Sequence, residues 1–393
     1  YFKYQSDYAD GFEVATVREG TKVGIFNGVG SDARTPLTRN QVAQMALNAL
    51  KSGVVEPDGN TINMTTPDGS VITSKVNYVK VTSTQTYAQA ISKVQATSIG
   101  SANDGYIVEL GERLYNGDLK LNDSNLDVFQ RPARTWEFKG KEIGTYVKKE
   151  LLKQSYTTKV TGKDLYELLT ASTIKDYDAV IAIDGETEER VLTGYGYFTP
   201  ANLIRSNTEA VGKTGNGVIT EVYVDSLNEI YYISVINTYL AKASGDYNEK
   251  RDEAKFNVWG LEKRSSYDNV LVKNTSNAVS NPTITLTTED FNVDGVKDGD
   301  IYLVHVADGT IQVMMAPEVI DNTKLTSFKK GSWVVADGTK YDYNNAIEYD
   351  AEVLDAYDDF NMKDTTYRVY LDANGYALGL AIVEATEQYL FLT

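Results

Sequence analysis

The pattern of apolar and polar positions changes its period near residue 55. Upstream, Val42, Met45, Ala46, Ala49 and Leu50 recur at helical spacing and predict a helix with one buried stripe. Thr38 and Gln41 frame its start as a capping box, in which the hydroxyl takes a free helix amide and the glutamine reaches back. Gly53 is placed to stop it. The preceding segment, Gly24-Ile25-Phe26-Asn27-Gly28-Val29-Gly30, supplies glycines for tight backbone geometry and apolar residues for docking.

Downstream the alternation is that of strands. Val76 to Val81 alternates cleanly, and Pro67-Asp68-Gly69 marks a turn between two polar strands within Thr61–Thr73. Periodicity leaves Tyr87 to Val94 open between strand and short helix. Residues 101–160 read as irregular β structure carrying Tyr106-Ile107-Val108 and Trp136-Glu137-Phe138. Lys163 to Leu169 predicts a short helix, followed by a buried strand at Ala179–Ile183 and a turn at Asp184-Gly185. Val218–Leu240 is the strongest strand signal, two runs around Leu227-Asn228. Ser244 to Ala254 is polar, either a loop or a boundary between modules. Three hairpins follow, turning at Asp308-Gly309, Asp337-Gly338 and Asn374-Gly375. Val222-Tyr223-Val224-Asp225 echoes Val369-Tyr370-Leu371-Asp372, a similarity that fits tandem β modules. The expected fold is therefore mainly β with a small helical N-terminal segment, α+β overall, in antiparallel sandwich-like or barrel-like modules. Its expected divisions are a helical segment 1–56, a mixed β-rich module 57–243, and an all-β hairpin-rich module 244–393.

Length supports that division, because 393 residues exceed one compact core. No apolar run is long enough to cross a bilayer as a helix. A net charge of −17 argues against nucleic-acid binding through a broad basic surface, and is compatible with cation-mediated contacts between acidic neighbours. The absence of cysteine removes disulfides, thiol catalysis and thiolate metal sites. The 28 tyrosines, many in runs with Val, Ile and Thr, fit strands with a half-exposed face and suit interfaces. The chain starts at Tyr1 and ends in the strand-like YLFLT, as a mature product or a piece of a longer protein would.

Candidate chemistry is sparse. Any imidazole-based scheme must use His305, which sits in a strand without a nucleophile motif beside it. Paired carboxylates could serve a glycosidase, but the strand–helix alternation of a catalytic barrel is missing. Asp290, Asn292, Asp294 and Gly295, with Asp298 beyond, match the first half of a calcium loop. The twelfth position, where a bidentate glutamate belongs, is Ile301, so an ordinary turn competes with a calcium site there. Gly212-Lys213-Thr214-Gly215-Asn216-Gly217 lacks the spacing of a phosphate loop and reads as a turn before the strand at Val218.

The segment Gly24 to Leu50 resembles the second half of an S-layer homology repeat, the wall-binding module of bacterial surface proteins. Thr38-Arg39-Asn40-Gln41 keeps the threonine and arginine of the family signature and changes its last two residues. The resemblance implies that Arg39 faces an anionic, pyruvylated wall polysaccharide, with Thr38, Asn27 and Gly28 around it. A guanidinium at a helix N-terminus suits a carboxylate. The stretches from RPARTWEFKGKEIGTY to VYVD, GDIYLVHVADGTIQ and TTYRVYLDANGYALGL are similar to β-rich regions that follow such repeats in surface proteins of gut clostridia. The resulting expectation is a non-enzymatic, extracellular structural protein of a Gram-positive surface, anchored to the cell wall and assembled with copies of itself as a homo-oligomer or polymer. No cofactor is expected beyond the candidate calcium. Alternatives are a wall-displayed adhesin or glycan-binding protein, and an anchored carbohydrate-active enzyme.

Overall fold

A computed structural model describes residues 11–29, 36–57, 63–73, 78–81, 108–187, 198–259, 261–263, 271–273, 283–329, 331–349 and 365–383. Gly30, Val76, Asn77, Tyr87–Val94, Tyr106 and Ile107, on which some expectations fell, lie outside these. The chain forms two compact units, one of Tyr1–Asn125 with Ala133–Tyr146 and the other of Leu126–Pro132 with Val147–Thr393. Strands dominate, as the alternation predicts, with several antiparallel sheets in separate modules.

In the first unit the chain runs α1 (Phe12–Lys22), α2 (Arg39–Lys51), β1 (Val55–Pro57), β2 (Asn63–Thr65), β3 (Val71–Thr73), β4 (Tyr78–Lys80), α3 (Leu110–Leu114), β5 (Leu119–Leu126), β6 (Pro132–Phe138) and β7 (Lys141–Val147). Helix α2 starts at the predicted capping box. Its expected apolar stripe is only partly covered, since Val42 is 53% exposed and Ala46 is exposed, while the buried residue is Asn48. The face of α2 that meets the preceding loop meets backbone carbonyls, and amides serve that better than methyl groups. Asn48 Nδ2 donates to the carbonyls of Ile25 (2.9 Å) and Asn27 (2.8 Å), and Gln41 Nε2 donates to Val29 (2.9 Å). Gly53 does not stop the helix. Ser52 does, in an extended conformation, and Gly53 bridges to Glu109.

The expected boundary at 56–57 falls inside β1, which pairs with β4. Beside it, three backbone bonds close a ring: Val54 N–H to Val108, Val108 to Val81, and Val81 to Val54, at 2.8, 2.9 and 2.8 Å. Their buried side chains form a small core. Helix α3, which periodicity did not reveal, begins at the buried Glu109. That carboxylate accepts from Trp136 Nε1 (3.1 Å) and the Tyr146 hydroxyl, fastening the helix to the sheet β5-β6-β7. Burial, with Glu109 beside it, pushes the Tyr146 hydroxyl pKa far up.

The second unit runs β8 (Leu152–Tyr156), α4 (Gly162–Asp176), β9 (Asp178–Ile183), β10 (Ile219–Asp225), β11 (Ile230–Ile236), β12 (Tyr239–Ala243), β13 (Ala254–Val258), β14 (Leu261–Lys263), β15 (Leu271–Lys273), β16 (Thr283–Leu286), β17 (Ile301–Ala307), β18 (Thr310–Met315), β19 (Glu318–Thr323), β20 (Leu325–Lys329), β21 (Trp333–Ala336), β22 (Thr339–Tyr349), β23 (Tyr367–Leu371) and β24 (Ala377–Ile382). Three larger sheets result, ordered β8-β10-β11-β9, β16-β13-β12-β17-β18 and β19-β23-β24-β22-β21-β20. The polar stretch from Ser244 is no module boundary, because β12 and β13 on either side of it pair antiparallel within one sheet. All three predicted Asp-Gly and Asn-Gly turns join paired strands.

The first and third sheets share a topology. In each, an outer strand pairs antiparallel with the first strand of a hairpin, and the second hairpin strand pairs parallel with an earlier strand: β8-β10-β11-β9 matches β19-β23-β24-β22. The two sequence echoes occupy matching places. Asp225 and Asp372 are both buried and both cap the hairpin turn, Asp225 accepting from the amides of Leu227 and Asn228, Asp372 from those of Asn374 and Tyr376. The crossovers differ. Helix α4 lies between β8 and β9, burying Leu165 and Leu169 against Ile181, Val222 and Ile233, whereas the hairpin β20-β21 lies between β19 and β22. The predicted helix at 163–169 is the first half of α4; Thr170, at φ 70°, breaks its regular geometry.

Two joints lock the sheets of this unit together. Asp184, buried and at φ 51°, accepts from Asn237 N (2.8 Å), Asn237 Nδ2 (3.0 Å) and the Tyr239 hydroxyl (2.6 Å), where the chain passes from β11 into β12. The loop before β10 docks on β22: Asn345 N donates to Asn216 (2.8 Å), Asn345 Nδ2 to Lys213 (2.6 Å), and Gly217, at φ 74°, has its α-carbon against Asn344 and Asp372. Asp184→Ala strands three buried donors and is expected to lower unfolding free energy by about 3–5 kcal/mol. Gly217→Ala needs both a positive φ and space that Asn344 occupies, and is expected to cost about 3 kcal/mol. Urea unfolding of each variant checks both values.

Candidate functional site

The residues singled out around Arg39 share one helix–loop unit. Thr38 Oγ1 accepts from Gln41 N (3.3 Å), and Gln41 Oε1 accepts from Thr38 N (2.9 Å). Through its bond to Val29, the same glutamine ties the helix start to the end of the loop. Asn27 and Gly28 are exposed on that loop, Gly28 at φ 74° beside Gln44. Arg39 is exposed in the first turn, where leading amides lack helical acceptors and the dipole is positive. Among the described residues it has no hydrogen-bond or ion-pair partner. An anion could therefore meet an exposed guanidinium and open amides at the helix start, while Asn27 and Gly28 meet the helix further along, at Asn48 and Gln44.

The calcium-loop residues do not converge. The Asp290 carboxylate accepts from Thr287 N (2.9 Å) and Thr287 Oγ1 (3.0 Å), which closes a local turn. Val293 and Val296, between the acidic positions, are buried in the core of the five-stranded sheet. Asn292, Asp294 and Asp298 remain exposed, and the Asp298 amide donates to Asp246 Oδ1 (2.9 Å). Among the described residues, no three His, Cys, Asp or Glu side chains gather as metal ligands would. The valines set the path of this segment, and its carboxylates point where turn geometry sends them.

His305 is 9% exposed, with Nε2 3.2 Å from Thr238 Oγ1 and its ring edge-on to Phe129. Both members of this hydroxyl–imidazole pair are buried. Burial, aided by the Arg131 charge, lowers its pKa to about 4. Arg131 itself bridges Asp127 (2.7 Å) and Glu221 (3.0 Å) over the four-stranded sheet.

Compared with known proteins, the chain matches no family model and no curated protein. Among the described residues, no helix is long and apolar enough to cross a membrane.

The glycine-rich loop Gly212–Gly217 is the feature that sequence reasoning underrated. It is the predicted turn before β10, but it also packs on β22 and helps line an open polar cleft. Its glycine density was the available signal, since Gly215 and Gly217 leave room for Asn345 and Asn344.

Because His305 is neutral when folded and protonates near pH 6.5 when unfolded, the unfolded chain binds the extra proton first as pH falls. Stability is expected to drop by about 3 kcal/mol between pH 6.5 and 4, and to be independent of this residue above pH 7. Urea unfolding at pH 7.5 and 4.5 measures it, and His305→Gln is expected to remove most of the difference.

Proposed function

We propose that this chain is a structural protein of a Gram-positive cell surface. It holds wall polysaccharide through the unit of α2 and its loop, and joins copies of itself through its β modules into a repeating array. The observation that carries the anchoring half is Arg39, exposed at the capped start of α2 and without a partner among the described residues. With Thr38 as the helix cap, it supports the reading of Thr38-Arg39 as the threonine–arginine pair of an S-layer homology signature.

The assembly half is supported by the edges of the sheets. Strand β7 is an outer strand of its sheet, exposed from Lys141 to Thr145, with Ile143 54% exposed. An outer strand offers backbone donors and acceptors that a neighbour's strand satisfies directly. At −17 per chain, copies repel, so salt and divalent cations favour association.

Arg39→Ala is expected to weaken co-sedimentation with purified cell walls by about tenfold while leaving the fold intact, as an exposed side chain allows. Unchanged co-sedimentation would remove Arg39 from the polymer contact. Light scattering across a calcium and salt series is expected to show growth in particle mass with ionic strength. A strict monomer at high concentration under every condition overturns the assembly reading.

A further inference from the structure

A polar cleft of about 580 Å³ opens in the second unit where the loop before β10 meets β21 and β22. Its walls include Lys159, Gly215, Asn216, Ser332, Asp342 and Asn345. We propose that it is a carbohydrate-binding site for a short oligosaccharide carrying a carboxylate. The site is separate from Arg39, and the inference does not rest on the wall-anchoring reading.

The floor is rigid. Asn216 Nδ2 donates to the Tyr343 carbonyl (3.3 Å), Asn345 N donates to Asn216 O, and Thr214 Oγ1 is used twice by Val160, accepting from its amide (3.0 Å) and donating to its carbonyl (2.9 Å). Tyr343 N is tied to Ser332 O at 2.8 Å, so both strands at the rim are fixed as well. A ligand meets groups already in place, and less ordering entropy is lost on binding.

The groups with capacity left over are mixed in kind. Lys159 Nζ spends one donor on the Thr208 carbonyl (3.2 Å) and keeps two. Asp342 Oδ1 meets Lys340 (2.7 Å), leaving Oδ2 as an acceptor. The Ser332 hydroxyl and Asn216 Oδ1 take no part in any other contact among the described residues. Such a set suits a molecule that is both donor and acceptor at closely spaced points, which is what sugar hydroxyls are. Asp342 and Asn216 supply acceptors for sugar hydroxyls, and Lys159 supplies a cation for one carboxylate.

Other ligand classes fit less well. A phosphate or nucleotide calls for clustered cations or helix amides, whereas among the described residues Lys159 is the one cation lining this cleft and Asp342 shares it. A divalent cation needs several charged oxygen ligands, and among the described residues one carboxylate lines the walls. An apolar ligand would require a largely apolar lining.

The test is calorimetric titration of the whole chain with a hyaluronan tetrasaccharide, which carries carboxylates and hydroxyls, and with an uncharged chitotetraose. Expected is saturable binding of the acidic tetrasaccharide, weakened about tenfold by Lys159→Gln and by Asp342→Asn. Both residues are exposed, so the variants should keep the native near-ultraviolet dichroism. Chitotetraose is expected to bind more weakly than the acidic ligand, and Lys159→Gln to narrow that gap. No binding of either saccharide, or binding of the acidic one that both variants leave unchanged, overturns the proposal. Arg39→Ala is the control: a loss of tetrasaccharide binding there would place the contact on the helix–loop unit and equally overturn the cleft assignment.

Discussion

At Asp184 a single carboxylate collects three donors at the point where the chain leaves one sheet and enters the next. A β body of many short strands must change direction often, and each change leaves backbone N–H groups without ladder partners. Here aspartates, buried except for the half-buried Asp127, supply the missing acceptors. Asp184 does so between β11 and β12, Asp225 and Asp372 at matching hairpins, and Asp127 at the turn carrying Phe129 and Arg131. Each sits in a setting of N–H donors dense enough to offset the cost of burying charge.

The shared topology of the first and third sheets explains why that device recurs. Two hairpins with the same strand senses and the same capping aspartate are one architectural unit used twice, elaborated once with a helix and once with a hairpin. Between them the five-stranded sheet acts as a spacer. Leu240 and Leu303 pack against Tyr370 and Leu378 of the six-stranded sheet, while Phe129, Ile236 and Ala307 fill the junction with the four-stranded one. The polar cleft arises from this arrangement, because the loop of the first copy is pressed onto β22 of the second.

Buried networks of a different kind organise the first unit. Glu109 fixes α3 to its sheet, the valine ring joins three chain segments, and amides rather than methyl groups dock α2 on its loop. Polar docking of this sort leaves apolar side chains such as Val42 and Leu47 exposed on α2.

Local chemistry determined much by itself. The capping box of α2, the glycine-bearing hairpin turns and the alternating strands at 218–240 are set by interactions within a few residues, so the sequence displayed them directly. The echo between Asp225 and Asp372 was visible too, and with it the suggestion of tandem β modules. What the sequence withheld are decisions made by partners distant along the chain. Asn48 reads as a break in an apolar stripe until the carbonyls of Ile25 and Asn27 are placed beside it. The acidic run at 290–298 reads as either a calcium loop or an ordinary turn, and that Val293 and Val296 are drawn into a core is not visible in it. The polar stretch at 244–254 reads as a boundary until β13 pairs back on β12. The Gly212–Gly217 loop reads as a plain turn until β22 arrives more than a hundred residues later. Hydrogen bonds and burial reward proximity in space, and periodicity records only proximity along the chain; tertiary structure alone decided which face, which carboxylate and which loop was put to use.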